Sequence, residues 1–418
     1  MTFSRRQTLT ALLAAAVAAP AAGALARQSA PAPTPEPVPP EELLARARAA
    51  LTPGGLVEGL MDRLVEQGRF SGVVLGAVKG RPVLARAYGL ANRATGRANT
   101  LETRFNIASA GKMFTTVAIG QLMDEGRLRL EDRLVDHLPD FRPEFGRTVT
   151  IGQLLTHQSG LGSYFASPLW AARRASIRTV ADYLGLVRDE PPRFAPGERY
   201  EYSNSGFVLL GAVIERLTGQ DYYDAIHTRV FAPAGMTGSG YPSWDDPAND
   251  LAAPYTNGCF ARPPGECTPG DWVDARPSAG VRGGPAGGGF CTAPDLHAFV
   301  EALRGGTLLT PQTLNRFKAE QGRMTRQGGP IDAYGFGFGR LTIHGQPSWG
   351  HNGGTIGAQA QIDVMEGAPV TLIVLANQAG AQRPASSAMR RAVAPPGWTP
   401  PPPTAGGGGG PVMVRPGG

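Results

Sequence analysis

The chain has 418 residues, more than twice the ~150 of a typical domain, so it is long enough to bury a large core. With 42% hydrophobic and 18% charged residues, disorder is excluded for all but the ends. The net charge of +6 comes from scattered arginines without a basic run, which argues against a nucleic-acid surface, and three cysteines are too few for a disulfide scaffold or a Cys-rich zinc module.

Residues 1–26 have the make-up of an export signal. Arg5 and Arg6 give a positive start, Leu9 to Ala19 an apolar stretch, and Ala24-Leu25-Ala26 a small-x-small cleavage site. Ser4-Arg5-Arg6 followed by Leu9 fits the twin-arginine pattern, so the mature chain is expected in the periplasm or outside the cell. No later stretch reaches ~18 apolar residues without charges, so no further membrane segment is expected. Residues 27–40 read as a Pro/Ala-rich linker, and 395–418 as a Pro/Gly-rich tail with too little apolar content to join a core. The span 41–394 is expected to form the folded domain.

Within it, residues 41–67 carry a helical pattern, and Ser71–Val78 and Pro82–Tyr88 read as a hairpin joined at Lys79-Gly80-Arg81. A long helix is expected from Ser109, apolar nearly all round (Met113, Phe114, Val117, Leu122, Met123) and therefore buried. Residues 125–280 read as helices and long loops. Thr292-Ala-Pro-Asp295 and Thr310-Pro311 are helix starts. Strands are expected over Phe336–Ile343, Ala358–Met365 and Val370–Ala376, and a closing helical piece over Ser386–Val393. Strands at both ends with helices between them give an α/β chain of the α+β type: a central antiparallel sheet flanked by helices, with an inserted, mainly helical lobe. Cys259 and Cys267 are close enough to bridge in an oxidising compartment, or stand as separate thiols; Cys291 is then odd.

Three stretches carry chemistry. Ser109 and Lys112, three apart at a helix start, project from one face of its first turn. A Ser hydroxyl is a weak nucleophile until something takes its proton, and a Lys does so only when neutral. Burial and the positive end of the helix dipole both disfavour the ammonium. Tyr202-Ser203-Asn204 precedes an apolar helix expected over Phe207–Leu217. The Tyr202 phenol can relay a proton, and the Asn204 amide can hold Lys112, bind a substrate carbonyl or cap the helix. Trp349-Gly-His-Asn-Gly-Gly-Thr355 lies at the boundary of an expected strand. Its glycines let a substrate lie close, a backbone N–H there can face a developing oxyanion, His351 adds a polar or cationic group, and Trp349 packs at the rim.

The rival constellations are weaker. Ser159 in His157-Gln-Ser-Gly sits two residues from a His, but no G-x-S-x-G elbow exists, and the segment reads as a turn that ends a helix. Gly283–Gly289 lacks G-K-[ST] and reads as a loop lining the site. The six histidines show no ligand spacing, so no metal is expected, and no cofactor.

Together the three stretches resemble the serine β-lactamase / penicillin-binding superfamily, whose signature is S-x-x-K, a middle S/Y-x-N, and K-T-G. Tyr-x-Asn, and His in place of the third-motif Lys, are similar to the branch of class C β-lactamases, DD-peptidases, D-aminopeptidases and related esterases. Leu154-Leu-Thr-His-Gln-Ser-Gly-Leu161, Pro196-Gly-Glu198 and Gly287-Gly-Gly-Phe290 follow in order, over roughly residues 55–393. The resemblance implies an exported serine hydrolase acting on ester or amide bonds through an acyl-enzyme. Ser109 is the implied nucleophile, Lys112 its base, and Tyr202 the proton shuttle that later activates water. Asn204 would orient the substrate, the N–H groups of Ser109 and Gly354 beside Gly353 would hold the oxyanion, and His351 would replace the Lys. Small esters, peptides, peptidoglycan fragments or β-lactams are the implied substrates. His-Asn-Gly departs from Lys-Thr-Gly, and Asn352 lacks the hydroxyl that favours a substrate carboxylate. The alternative is an inactive penicillin-recognising or wall-peptide-binding scaffold of the same fold.

Overall fold

A computed structural model of the chain describes residues 39–246, 250–257, 272–323 and 333–396. The expected export signal, most of the linker, Cys259, Cys267 and the tail from residue 397 lie outside the described residues. Eight strands form one sheet: β1 (Gly72–Val78), β2 (Arg81–Tyr88), β3 (Gly322–Arg323), β4 (Ala333–Tyr334), β5 (Gly339–Ile343), β6 (Gln346–Thr355), β7 (Ala358–Met365) and β8 (Val370–Ala376). Their spatial order is β2-β1-β8-β7-β6-β5-β4-β3, with every neighbouring pair antiparallel. The first strand of the fold thus pairs with the last, Val74 opposite Val374.

Local chemistry accounts for these elements. Lys79 and Gly80 both have positive φ, 52° and 71°, as a two-residue hairpin turn between right-twisted strands requires. Both faces of β1 and β8 are buried, which is why they read as unbroken apolar runs. Val73, Leu75, Ile373 and Leu375 point to one side, where they meet Phe105, Phe114 and Phe299. Val74, Val78, Leu372 and Val374 point to the other, against Leu43, Leu51, Met61 and Met389. That second layer is built from the helices Pro40–Leu51, Leu56–Glu66 and Gln382–Arg390. The helical pattern over 41–67 is therefore two helices, broken at Thr52-Pro53-Gly54-Gly55.

The helical lobe runs from the helix Lys112–Asp124 to the helix Asn204–Thr218 and beyond. Ser203 caps the latter by accepting from the Gly206 N–H, and Gly219 ends it in the left-handed conformation. Asn204, for which capping was one of three roles open in the sequence, is instead its first residue. Thr292 and Thr310 cap Ala293–Arg304 and Pro311–Lys318 as expected. Two further expectations are corrected. Ser109 lies in a 3-10 turn, Ala108–Gly111, and the α-helix begins only at Lys112. The stretch Trp349–Thr355 lies inside β6 rather than at a strand boundary, and Trp349 is buried edge-on against Phe338 rather than placed at a rim. Among the described residues no helix is long and apolar enough to cross a membrane.

Asn377, just after β8, ties the residues that flank β1 and β2 to the segment at Ala253. Its Oδ1 accepts from Ser71 Oγ (2.8 Å), and its Nδ2 donates to the carbonyls of Leu90 and Ala253 (both 2.9 Å). Asn377→Ala leaves the buried Ala253 carbonyl unpaired, while Ser71 Oγ and Leu90 O keep their bond to each other (3.2 Å), and should lower the unfolding free energy by about 2 kcal/mol in urea denaturation, whereas Ser71→Ala should cost about 1 kcal/mol.

Candidate active site

The turn that carries Ser109 is held from both sides. Asn106 Oδ1 accepts from the Ala108 N–H (2.8 Å), and the Ile107 N–H donates to Gly289 O (2.9 Å). Ala108 is left-handed at φ +46°, a conformation that costs a residue with a Cβ of order 1 kcal/mol and needs support from its surroundings. The Gly-rich loop supplies it. The Gly288 N–H donates to Ala108 O (3.0 Å), and a Cβ on Gly287 would lie 2.2 Å from that same oxygen. Ser109 itself is half-buried, set among buried neighbours.

Lys112 is fully buried, one turn along. Its Nζ lies 2.7 Å from Asn204 Oδ1, 2.6 Å from Ala286 O and 3.4 Å from Ser109 Oγ. The rings of Tyr202 and Phe207 cover it at 4.8 and 5.3 Å. Burial holds its pKa well below the ordinary 10.5. A neutral amine has two N–H donors and one lone pair. Two carbonyl oxygens take the donors, and the lone pair is left for Ser109 Oγ–H.

Burial raises the pKa of Tyr202, against an opposing pull from the nearby Ser109 hydroxyl, which keeps it a neutral phenol able to accept one proton while it gives another. Asn204 is fixed at both ends of its amide, because Nδ2 donates to Ser163 Oγ (2.9 Å) while Oδ1 faces Lys112.

The third stretch reaches the same place along β6. Pairing with β5 ends at Gly350, so residues 351–355 run on past that neighbour while staying paired with β7. They meet the Ser109 turn so closely that a Cβ on Gly353 would lie 2.0 Å from Ile107 O. Beside Gly354 there is open space. His351 is buried; its Nδ1 lies 2.5 Å from Asn352 O and its Nε2 2.8 Å from Tyr334 Oη. A carbonyl only accepts, so Nδ1 carries the proton and Nε2 accepts from the Tyr334 hydroxyl. Burial lowers the His351 pKa to about 3. His351 is therefore a neutral, internally bonded ring and not a cation.

Ser109, Lys112, Tyr202 and Asn204 thus meet in one cluster, with Gly353 against it and His351 behind. Ser159 stays apart as a fully buried turn residue whose Oγ accepts from the Leu161 N–H (3.3 Å). Cys291 is a buried free thiol. Among the described residues no group of three or more His, Cys, Asp or Glu is placed to hold a metal. Sequence reasoning missed Ser163, Asn106, Tyr334 and the Ala286 carbonyl. Only the last had a signal, in its Gly-rich loop.

The sequence pattern of the family described as Beta-lactamase matches residues 56–394. The chain is similar to an esterase, EstB, of Burkholderia gladioli, at 31% identity over 81% of this chain and 94% of the other. It is also similar to the crystal structure of a penicillin binding protein from Bacillus halodurans (TM-score 0.70, 30% identity, covering 80% of this chain and 98% of that one). The D-amino acid amidase from Ochrobactrum anthropi SV3 shares the fold at TM-score 0.70 and 22% identity, over 80% of this chain and 96% of the other.

The burial of Lys112 has a signature in stability. Between its lowered pKa and the ordinary 10.5, the unfolded chain binds a proton that the folded chain does not, so stability rises with pH. Lys112→Met keeps the shape and removes that proton. Urea unfolding between about pH 8 and 10 should show a slope about 1.4 kcal/mol per pH unit shallower in the variant than in the parent.

Proposed function

The chain belongs to the beta-lactamase family of serine hydrolases, and we propose that it cleaves ester or amide bonds through an acyl-enzyme on Ser109. One observation carries the reading: the Lys112 amine is buried with Asn204 Oδ1 and Ala286 O at 2.7 and 2.6 Å and Ser109 Oγ at 3.4 Å, so that in its neutral form the two oxygens take its N–H donors and the lone pair is left for Ser109. Lys112 takes the Ser109 proton as the Oγ–C bond forms. The N–H groups of Ser109 and Gly354 receive the oxyanion, in the gap that Gly353 keeps closed against the turn and Gly354 leaves open. Tyr202 passes a proton to the leaving group as its bond to the acyl carbon breaks. Tyr202 then takes a proton from the attacking water when the ester is hydrolysed, and Lys112 returns its proton to the departing Ser109 Oγ, which restores all three groups. Asn204 holds Lys112 and borders the substrate.

The third motif bears on the substrate. A neutral His351, bonded to Tyr334 and to its own strand, and an Asn352 without a hydroxyl give weak support to a substrate carboxylate. Neutral esters are therefore the preferred class, followed by D-amino-acid amides, with β-lactams last. The relatives named as an esterase and an amidase are consistent with that order. Export is part of the proposal and rests on the signal-like composition of residues 1–26, with the twin-arginine pattern at Arg5-Arg6.

Treatment with a fluorophosphonate probe should give one adduct, on the Ser109 peptide by mass spectrometry, and none in Ser109→Ala. Lys112→Met should slow labelling about 1000-fold. Label on Ser159, or no label, would reject the assignment and favour a binding domain of the same fold.

A further inference from the structure

His157 is not needed by the reaction outlined above, yet it is the most constrained polar residue near it. It is fully buried and left-handed at φ +58°, in the turn after the helix Ile151–Leu155. His tolerates that conformation better than most residues with a side chain, and strain of this kind persists only where surrounding contacts enforce it. Two hydrogen bonds here lead to one place. The His157 carbonyl accepts from the Glu201 N–H (2.9 Å), and its Nδ1 accepts from the Ser203 N–H (3.1 Å). Glu201 and Ser203 are the two residues that flank Tyr202. The imidazole lies against the Tyr202 ring at 4.3 Å between centroids and 40° between planes, with Tyr334 at 4.6 Å and Phe207 at 5.4 Å on other sides. One residue thus clamps the backbone before and after Tyr202 and supports its ring.

The protonation state follows from the same bonds. An Nδ1 that accepts a hydrogen bond carries no proton, so the ring proton sits on Nε2, which is buried without a partner among the described residues. Burial holds the ring neutral. An imidazolium would lose the acceptor that fixes Ser203, so the clamp requires the neutral ring.

We propose that His157 is the positioning residue for Tyr202: its Nδ1 and its carbonyl hold residues 201–203 so that the Tyr202 hydroxyl stays on Ser109. The inference rests on the reading that Tyr202 hands a proton to the leaving group. It predicts a dependence on the leaving group that a merely structural residue would not produce. An aryl oxide such as p-nitrophenolate departs without a proton, whereas an alkoxide needs one.

The test compares kcat/KM for a p-nitrophenyl ester and for an alkyl ester of the same acid. His157→Phe keeps an aromatic ring and removes the acceptor. It should lower the alkyl-ester value about 100-fold and the p-nitrophenyl value by about threefold or less. His157→Asn puts an amide oxygen near the Nδ1 position, tolerates the left-handed backbone, and should keep both values within about threefold of the parent. If His157→Phe does not fold, His157→Gln, whose amide reaches the Nε2 position, removes the same acceptor. In a Tyr202→Phe background the same change should cost a further threefold or less, roughly, because its effect passes through the missing hydroxyl. Equal losses on the two esters, or the full loss on top of Tyr202→Phe, would overturn the positioning role while leaving the role of Tyr202 intact. Tyr202→Phe without a loss on the alkyl ester would overturn both.

Discussion

An ammonium buried at Lys112 would need three acceptors and a compensating charge, whereas the site offers it two close carbonyl oxygens, from Asn204 and Ala286, and a hydroxyl at 3.4 Å. Two aromatic faces, Tyr202 and Phe207, fill the rest of the space and exclude water. Under those conditions the proton is expelled and the amine becomes a base, and desolvation alone accounts for the shift. The other features of the site follow from holding that amine dry and aimed. Ser163 fixes the far end of the Asn204 amide, the Gly-rich loop presents Ala286 O, and His157 fixes the segment that carries Tyr202.

The same arrangement explains where the fold tolerates strain. Three segments distant in sequence must approach one turn to within van der Waals contact, and at two of the approaches only hydrogen fits: Gly287 against Ala108 O and Gly353 against Ile107 O. Two residues that border the cluster, Ala108 before Ser109 and His157 against Tyr202, are left-handed. The sheet makes these positions possible. β6 is anchored by β7, and β7 by the β8–β1 pair that joins the two ends of the folded chain, so the free portion of β6 past Gly350 has a rigid base.

Much of this was legible in the sequence, for physical reasons that also mark where legibility ends. β7 and β8 have the bounds expected, Ala358–Met365 and Val370–Ala376, because apolar β-branched runs buried on both faces have few other uses. β6 escaped because Pro347, Gly350, Gly353 and Gly354 remove every local strand preference; its conformation is imposed by pairing with β7. Ser109, Lys112, Tyr202 and Asn204 stood out by residue type and order. The Ala286 carbonyl did not, since a backbone acceptor has no side-chain signature, and Ser163 is one of many serines in a loop. His351 was legible as a substitute for a Lys but not as a neutral ring, because its state depends on Tyr334, which lies 17 residues before it in the chain.

The activation of Ser109 depends on Lys112 being a neutral base, and the protonation state of Lys112 can be read directly. The chain has three lysines, Lys79, Lys112 and Lys318, so nitrogen-15 labelling of lysine gives a short side-chain spectrum in which Lys112 is identified by its loss in Lys112→Met. At about pH 8 the Lys112 nitrogen should have the chemical shift of a neutral amine, with no change on further alkalinisation. A Lys112 nitrogen that is an ammonium at that pH and titrates near its ordinary 10.5 would contradict this, and the proposed activation of Ser109 would fall with it.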